Sequence, residues 1–227
     1  MDEYGYDGLA VRVLDLDVEP SARRILEESD VPLVSVDTSI ALARPFDQDL
    51  PVALELAAEW RAPAVRVFGG ESADLDDIAR RLEPALDLAR SLGVTVAVET
   101  HDAFSSAVLV GRLLDRVDDP AFAAVWDLHH PYRVGESADA VLASLGSRIR
   151  LVHVKDARAD GLLVPLGDGD LPVREDLALL LESGYDGWLT VEWEKRWHPE
   201  LAEPEVALPH ELATLRELLR VLEAGQG

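Results

Sequence analysis

Val94-Thr95-Val96-Ala97-Val98 is a run of apolar and β-branched residues that stops at Glu99, with Thr100 and His101 beyond it. Three more runs repeat the pattern. Phe122-Ala123-Ala124-Val125-Trp126 stops at Asp127, with Leu128, His129 and His130 after it. Ile149-Arg150-Leu151-Val152 stops at His153, followed by Val154, Lys155 and Asp156. Trp188-Leu189-Thr190-Val191 stops at Glu192, followed by Trp193 and Glu194. Short apolar runs between helical patterns read as buried parallel strands. Their polar ends then meet at one rim, where α/β proteins keep their chemistry.

Working outward, strand candidates are Leu9–Val13, Leu33–Asp37, Ala64–Phe68, Val94–Glu99, Ala123–Asp127, Arg150–Val154 and Leu189–Glu192. Helical patterns separate them at Ala22–Glu28, Val52–Trp60, Leu75–Ser91, Ser106–Val117, Ala138–Leu145 and Arg174–Ser183, and a last one spans Pro209–Glu223. Within Leu75–Ser91, Ile78, Leu82, Leu86 and Ala89 share one face at helical spacing. Gly93 terminates that helix, and Pro84 inside it predicts a kink or two abutting helices. Strict βα alternation indicates a parallel sheet with helices outside. No glycine-rich dinucleotide fingerprint follows the early strands, and Gly69-Gly70 reads as a tight turn. Functional residues at several strand ends favour a barrel, which gathers its strand ends around one axis. The expectation is a single domain over residues 1–227 of the (β/α)8 TIM-barrel type with seven recognisable strands. The opening Glu3-Tyr4-Gly5-Tyr6-Asp7-Gly8 reads as a helix-to-strand connection, as though the first β-α unit were absent. A unit of about 30 residues fits the shortfall from a barrel of about 250.

The formal charge of −23 over 227 residues argues against nucleic acid as a partner, because phosphate backbones are bound by Lys and Arg. The absence of cysteine excludes disulfides, thiolate catalysis and iron–sulfur clusters. The N-terminus has neither the basic region nor the apolar core of a signal peptide. No apolar stretch approaches the roughly 20 residues of a membrane helix. The expected compartment is the cytoplasm, with no membrane partner.

Two Glu, one Asp and one His at converging strand ends make a set of metal ligands. Three carboxylates with one imidazole suit Mg²⁺, Mn²⁺ or Co²⁺, and Zn²⁺ also accepts them. Singly, each has a plainer reading: a helix cap or surface ion pair for Glu99 or Asp127, a hydrogen-bonded core histidine for His153. Four strands ending in ligand types favour the shared site.

In their order, Val98-Glu99-Thr100-His101, Trp126-Asp127-Leu128-His129-His130, His153-Val154-Lys155-Asp156 and Gly184-Tyr185-Asp186-Gly187 before Val191-Glu192 resemble one group. The chain is similar, from about Gly5 to Leu222, to the sugar phosphate isomerase/epimerase group of xylose isomerase-like TIM barrels. The resemblance implies metal ligation by Glu99, Asp127, His153 and Glu192, with Glu99 and Glu192 as the acid/base pair. It implies substrate contacts from His130, with His129 as competitor because strand alternation turns only one inward. His101, Lys155 and Arg158 complete the expected contacts; for Lys155 and Arg158 the alternative is an ion pair at the barrel rim.

The activity implied is that of an enzyme: a divalent-metal-dependent isomerase or epimerase acting on a small sugar, ketose or polyol derivative, by proton transfer next to a carbonyl. An inosose-type dehydratase with the same metal site is the alternative, and a non-catalytic truncated barrel a further one. A nuclease like endonuclease IV would need more ligands and a basic face. The partner expected is a small-molecule carbohydrate; a homodimer through barrel helices also fits the resemblance. Glu194-Lys195-Arg196-Trp197-His198-Pro199 is expected to form a lid, and Gly167-Asp168-Gly169-Asp170 a structural turn.

Overall fold

Valine, leucine, isoleucine and alanine fill the runs between the helical patterns, and in the computed structural model each run is a parallel strand. The structure describes residues 4–13, 16, 24, 26, 30–71 and 74–225. The strands are β1 Leu9–Arg12, β2 Leu33–Ala41, β3 Ala64–Phe68, β4 Thr95–Glu99, β5 Phe122–Asp127, β6 Ile149–Val154 and, after a hairpin, β9 Trp188–Val191. The hairpin pairs β7 Asp156–Ala157 with β8 Leu163–Val164. The seven long-range strands neighbour one another in chain order, all parallel. They form the expected barrel type, nearly closed.

Around it lie α1 Asp49–Glu59, α2 Leu75–Leu92, α3 Ala107–Val117, the one-turn α4 His129–Arg133, α5 Ala138–Leu145, α6 Val173–Glu182 and α7 Pro204–Gly225. The expected helix Ala22–Glu28 lies outside the described residues, save Arg24 and Leu26. Asp74 caps α2 by accepting from the Asp76 and Asp77 amides, and Gly93 ends it with φ 68°. Of the two expectations at Pro84, a kink or two abutting helices, the second is not met, because α2 runs through Pro84 as one helix. Pro84 lies on the exposed face, where water can satisfy the carbonyl that a proline leaves unbonded. The last helix starts at Pro204 rather than Pro209, because proline's fixed φ suits a first helical position.

Two apolar layers hold the barrel. The larger packs the outer face of the sheet against the helices, with Leu54, Ile78, Leu82, Leu113 and Leu177 buried in it. The smaller fills the inside, one residue to a strand: Val34, Ala64, Ala97, Val125 and Leu151, with Ala10 against them. Side chains alternate along a strand. Two positions beyond that inner floor stand Arg12, Arg66, Glu99, Asp127 and His153. The floor therefore sends these polar residues into the barrel's upper half.

Among the described residues no backbone ladder joins β1 to β9. Side chains bridge that gap. Trp188 packs against Gly8, where an added Cβ would come within 3.0 Å of its ring. Tyr6 donates to the Leu208 carbonyl and Arg216 to that of Gly5, tying α7 across the opening.

Asp176 on α6 is buried at 6% exposure. Burial, and then its neighbour Glu175, raise its carboxyl from 3.8 to about 7. The folded chain thus keeps a proton that the unfolded chain releases, so stability falls as pH rises from about 4 to 7. Asp176→Asn should stabilise the protein at pH 8 by about 2 kcal/mol, allowing for solvent screening, and leave it unchanged below pH 4. Urea denaturation at the two pH values checks this; a destabilised variant at pH 8 refutes it.

Candidate metal centre

One ligand atom each from Glu99, Asp127, His153 and Glu192 lies within 4.8 Å of the others. Glu99 and Asp127 are the last residues of β4 and β5, His153 lies within β6, and Glu192 follows β9. The ladders pair Asp127 with His153 and His153 with Thr190, two before Glu192. His153 Nδ1 stands 3.7 Å from Glu99 Oε1 and 3.6 Å from Glu192 Oε2.

Asp127 divides its two oxygens. Oδ1 accepts from the His129 amide at 2.8 Å, which turns the chain into α4, while Oδ2 faces the cluster. That turn corrects the alternation expected of His129 and His130, since both lie in a helical turn rather than a strand. His130 sits beside His101, ring centroids 4.3 Å apart, and its Nε2 is 3.9 Å from Asp127 Oδ2. His129 is buried.

Three cationic side chains share the space. Lys155 Nζ lies 2.8 Å from Asp127 Oδ2, 2.6 Å from Glu192 Oε2 and 2.6 Å from Glu194 Oε1. Arg66 Nε is 3.0 Å from Glu99 Oε2, and its Nη2 is 3.8 Å from Asp37 Oδ2. Arg12 extends over the Phe68 ring and donates to Ser39. Sequence reading missed Asp37, Arg66 and Glu194. For Arg66 a signal was available, a charge inside the apolar run Ala64–Phe68. Arg158 is not brought to the cluster. It is exposed in the β7–β8 turn and forms no ion pair among the described residues.

The Asp156 carboxylate holds a loop instead. It accepts from the Gly167 and Gly169 amides at 3.0 Å each and from Leu171 at 3.3 Å. A Cβ on Gly169 would strike that carboxylate, so the turn requires glycine there. The 194–199 segment is fastened to itself: Lys195 donates to the Pro199 and Leu201 carbonyls. Trp193 and Trp197 line a cavity of about 600 Å³ together with His153, Glu192, Asp37 and Arg66. A larger cavity, about 740 Å³, opens at the opposite strand ends past Thr95, Phe122 and Ile149 and holds none of the four donors.

Charge and burial set the titration of the cluster. Burial would raise Glu99, but Arg66 and then His153 outweigh it and hold the carboxyl at about 2. Burial raises Asp127 to about 6 despite Lys155. For His153, burial opposes the charged ring, yet Glu192 and Glu99 raise it to about 9. Glu192 is held well below the carboxylate range against burial, chiefly by Lys155. Burial lowers His130 to about 4, leaving its ring neutral near pH 7.

The donors fit a divalent cation. Both His153 ring nitrogens are buried without a hydrogen bond, while Glu99 Oε2, Asp127 Oδ2 and Glu192 Oε2 meet the cations Arg66 and Lys155. Buried polar atoms are almost always bonded, so a bare imidazole facing carboxylates that already take cationic partners fits a ligand position. Oxygen donors with one imidazole are the set such ions take.

The sequence pattern described as xylose isomerase-like TIM barrel matches residues 1–218. The chain belongs to the xylose isomerase-like TIM barrel family. Within and around it, inosose dehydratase of Bacillus licheniformis is 27% identical over 209 residues, covering 84% of this chain and 60% of that protein. Fructoselysine 3-epimerase of Escherichia coli O157:H7 is 26% identical over 149 residues, covering 63% and 53%. The chain thus spans between half and two thirds of the length of these curated relatives. A protein named IOLI, crystallised with a zinc atom, superposes with a TM-score of 0.82 at 15% identity, covering 97% of this chain and 91% of that one. At that identity the likeness is one of fold. No described helix of this family member is long and apolar enough to cross a membrane.

Proposed function

We propose that this chain is a single-domain, divalent-metal-dependent isomerase or epimerase of a small sugar, ketose or polyol derivative, exchanging a proton next to a carbonyl. The observation that carries this reading is the convergence of four donors, three of them buried, from neighbouring strand ends. Glu99, Asp127, His153 and Glu192 would hold the ion; Mn²⁺, Mg²⁺ and Co²⁺ suit them best, and Zn²⁺ also fits. When bound, such an ion acts as a Lewis acid that polarises a carbonyl.

The protein's own groups supply the rest. Glu99 and Glu192 are ionised at neutral pH, the form that accepts a proton from a carbon acid. Lys155, held by Glu194, keeps an ammonium beside Glu192, ready to donate a hydrogen bond to a substrate oxygen. His101 and His130 supply a polar wall beside Glu99 for substrate hydroxyls. Trp193 and Trp197 offer apolar faces that exclude water. The match to inosose dehydratase over 84% of the chain favours a second reading, a lyase removing water from an inosose-like ketone with the same ion and base.

Adding Mn²⁺ to chelator-treated protein at about 100 times its Kd should raise unfolding stability by about 2.7 kcal/mol. Protons should be released, because His153 must shed its own to bind. Asp127→Asn should abolish both effects. Calorimetry and thermal melts check this, and an unshifted melt rejects the metal site. The metal-loaded chain, incubated with ketoses and inososes in D₂O, then separates the reactions: deuterium gained at unchanged composition marks an isomerase or epimerase, and loss of water marks the lyase. Neither change in any of them rejects both.

A further inference from the structure

A cavity of about 350 Å³ lies on the outer side of the sheet, between β5, α4, α5 and α6. Its volume is within the range of small-molecule sites, and its lining contains none of the four metal donors. Trp126, Leu128, Val141 and Leu179 give it an apolar wall, and Tyr132, an exposed residue, adds a second aromatic ring. Among the described residues, every charged group on that lining is a carboxylate: Glu136, Asp139, Glu175 and Asp176. Glu136 is engaged, accepting from the Ser106 hydroxyl and the Ala107 amide. Asp139 and Glu175 are exposed to water. Asp176 is neither engaged nor exposed. At 6% exposure, its carboxylate meets no cation and accepts no hydrogen bond among the described residues, and burial and Glu175 raise it to about 7. Buried charges are as a rule paired. An unpaired one bordering a cavity of ligand size points to a ligand that brings the counter-charge.

We propose that this cavity binds a small organic ammonium, its nitrogen on the Asp176 carboxylate and its apolar body against Trp126 and Leu179. The lining selects the sign of the ligand. An anion would meet carboxylates alone, and an uncharged molecule would leave Asp176 without its counter-charge. A bare metal ion is disfavoured, because one free carboxylate among apolar walls supplies too few donors. An ammonium also suits the two aromatic side chains, whose ring faces attract cations. The assignment rests on residues outside the metal centre and does not depend on the reaction proposed above.

The test is a calorimetric titration of the full chain at pH 8, where Asp176 is mostly ionised, in about 0.15 M salt to screen general attraction to the acidic surface. The probes are 2-phenylethylamine, cyclohexylamine and choline, with 2-phenylethanol as the uncharged control. At least one ammonium should bind in one equivalent with a Kd of about 1 mM or tighter, the range open to a ligand of that size. The alcohol should bind at least tenfold more weakly. Asp176→Asn should weaken the ammonium at least tenfold, and Glu192→Gln, in the metal centre, should leave it unchanged. Leu179→Trp, which fills the cavity without touching a charge, should abolish binding and decides the matter if Asp176→Asn fails to fold. Failure of all three ammonium probes to bind overturns the assignment. So does binding that persists in folded Asp176→Asn or in Leu179→Trp, binding that is lost in Glu192→Gln, or an alcohol that binds as tightly as the amine.

Discussion

Glu192→Gln is expected to slow proton exchange on the substrate about 1,000-fold while leaving the fold intact. A positioned carboxylate acting as general base contributes roughly 10²–10⁴ in rate, and an amide of the same shape cannot accept the proton. Glu192 suits the experiment because it is the most accessible of the four donors, at 27% side-chain exposure. Its neighbour Lys155 keeps Asp127 and Glu194 as partners after the change, so no buried charge is stranded. Deuterium wash-in on a turned-over ketose measures the rate, and near-UV circular dichroism the fold. Exchange within tenfold of wild type removes Glu192 from the chemistry. Glu99→Gln should slow the reaction similarly but also weaken the fold, because it strips Arg66 of its closest counter-charge.

Arg66→Met is expected to destabilise the chelator-treated protein by about 3–5 kcal/mol, the range for breaking a buried ion pair from one side. Arg66 is 2% exposed. It donates to the Thr38 carbonyl at 2.7 Å, lies over the Phe68 ring at 4.2 Å and meets Glu99 and Asp37. Methionine retains much of the packing volume but leaves two carboxylates inside the barrel without their counter-charge. A divalent cation bound at Glu99 should then restore part of the loss, so Mn²⁺ should stabilise the variant more than the wild type. Urea denaturation with and without Mn²⁺ measures both; a loss under 1 kcal/mol would show that Arg66 is not the charge that makes the cluster tolerable.

The four donors were legible because each follows an apolar run, and side-chain alternation past the inner floor of Ala97, Val125 and Leu151 carries Glu99, Asp127 and His153 inward. Arg66 and Asp37 were not, although each sits in a strand found from sequence. Their importance comes from partners on other strands, Glu99 on the next strand and His153 across the barrel, and no local spacing records such a pairing. For the two adjacent histidines only the strand alternation fails: one Asp127 oxygen starts a helical turn where the strand pattern was extended. Lys155 and Arg158 are alike as cations in sequence, yet one is buried among three carboxylates and the other exposed on a hairpin tip. Burial separates them, and burial is a tertiary property.

Glu99, Asp127 and His153 belong to strands clasped on both sides, whereas Glu192 follows β9, which is clasped on one. Edge strands breathe more readily than interior ones. Any parting of the slit beside β9 therefore moves one donor against three stationary ones. A cage built this way would release an ion one finger at a time, with its rate of metal exchange set at the hem of the sheet rather than at its centre.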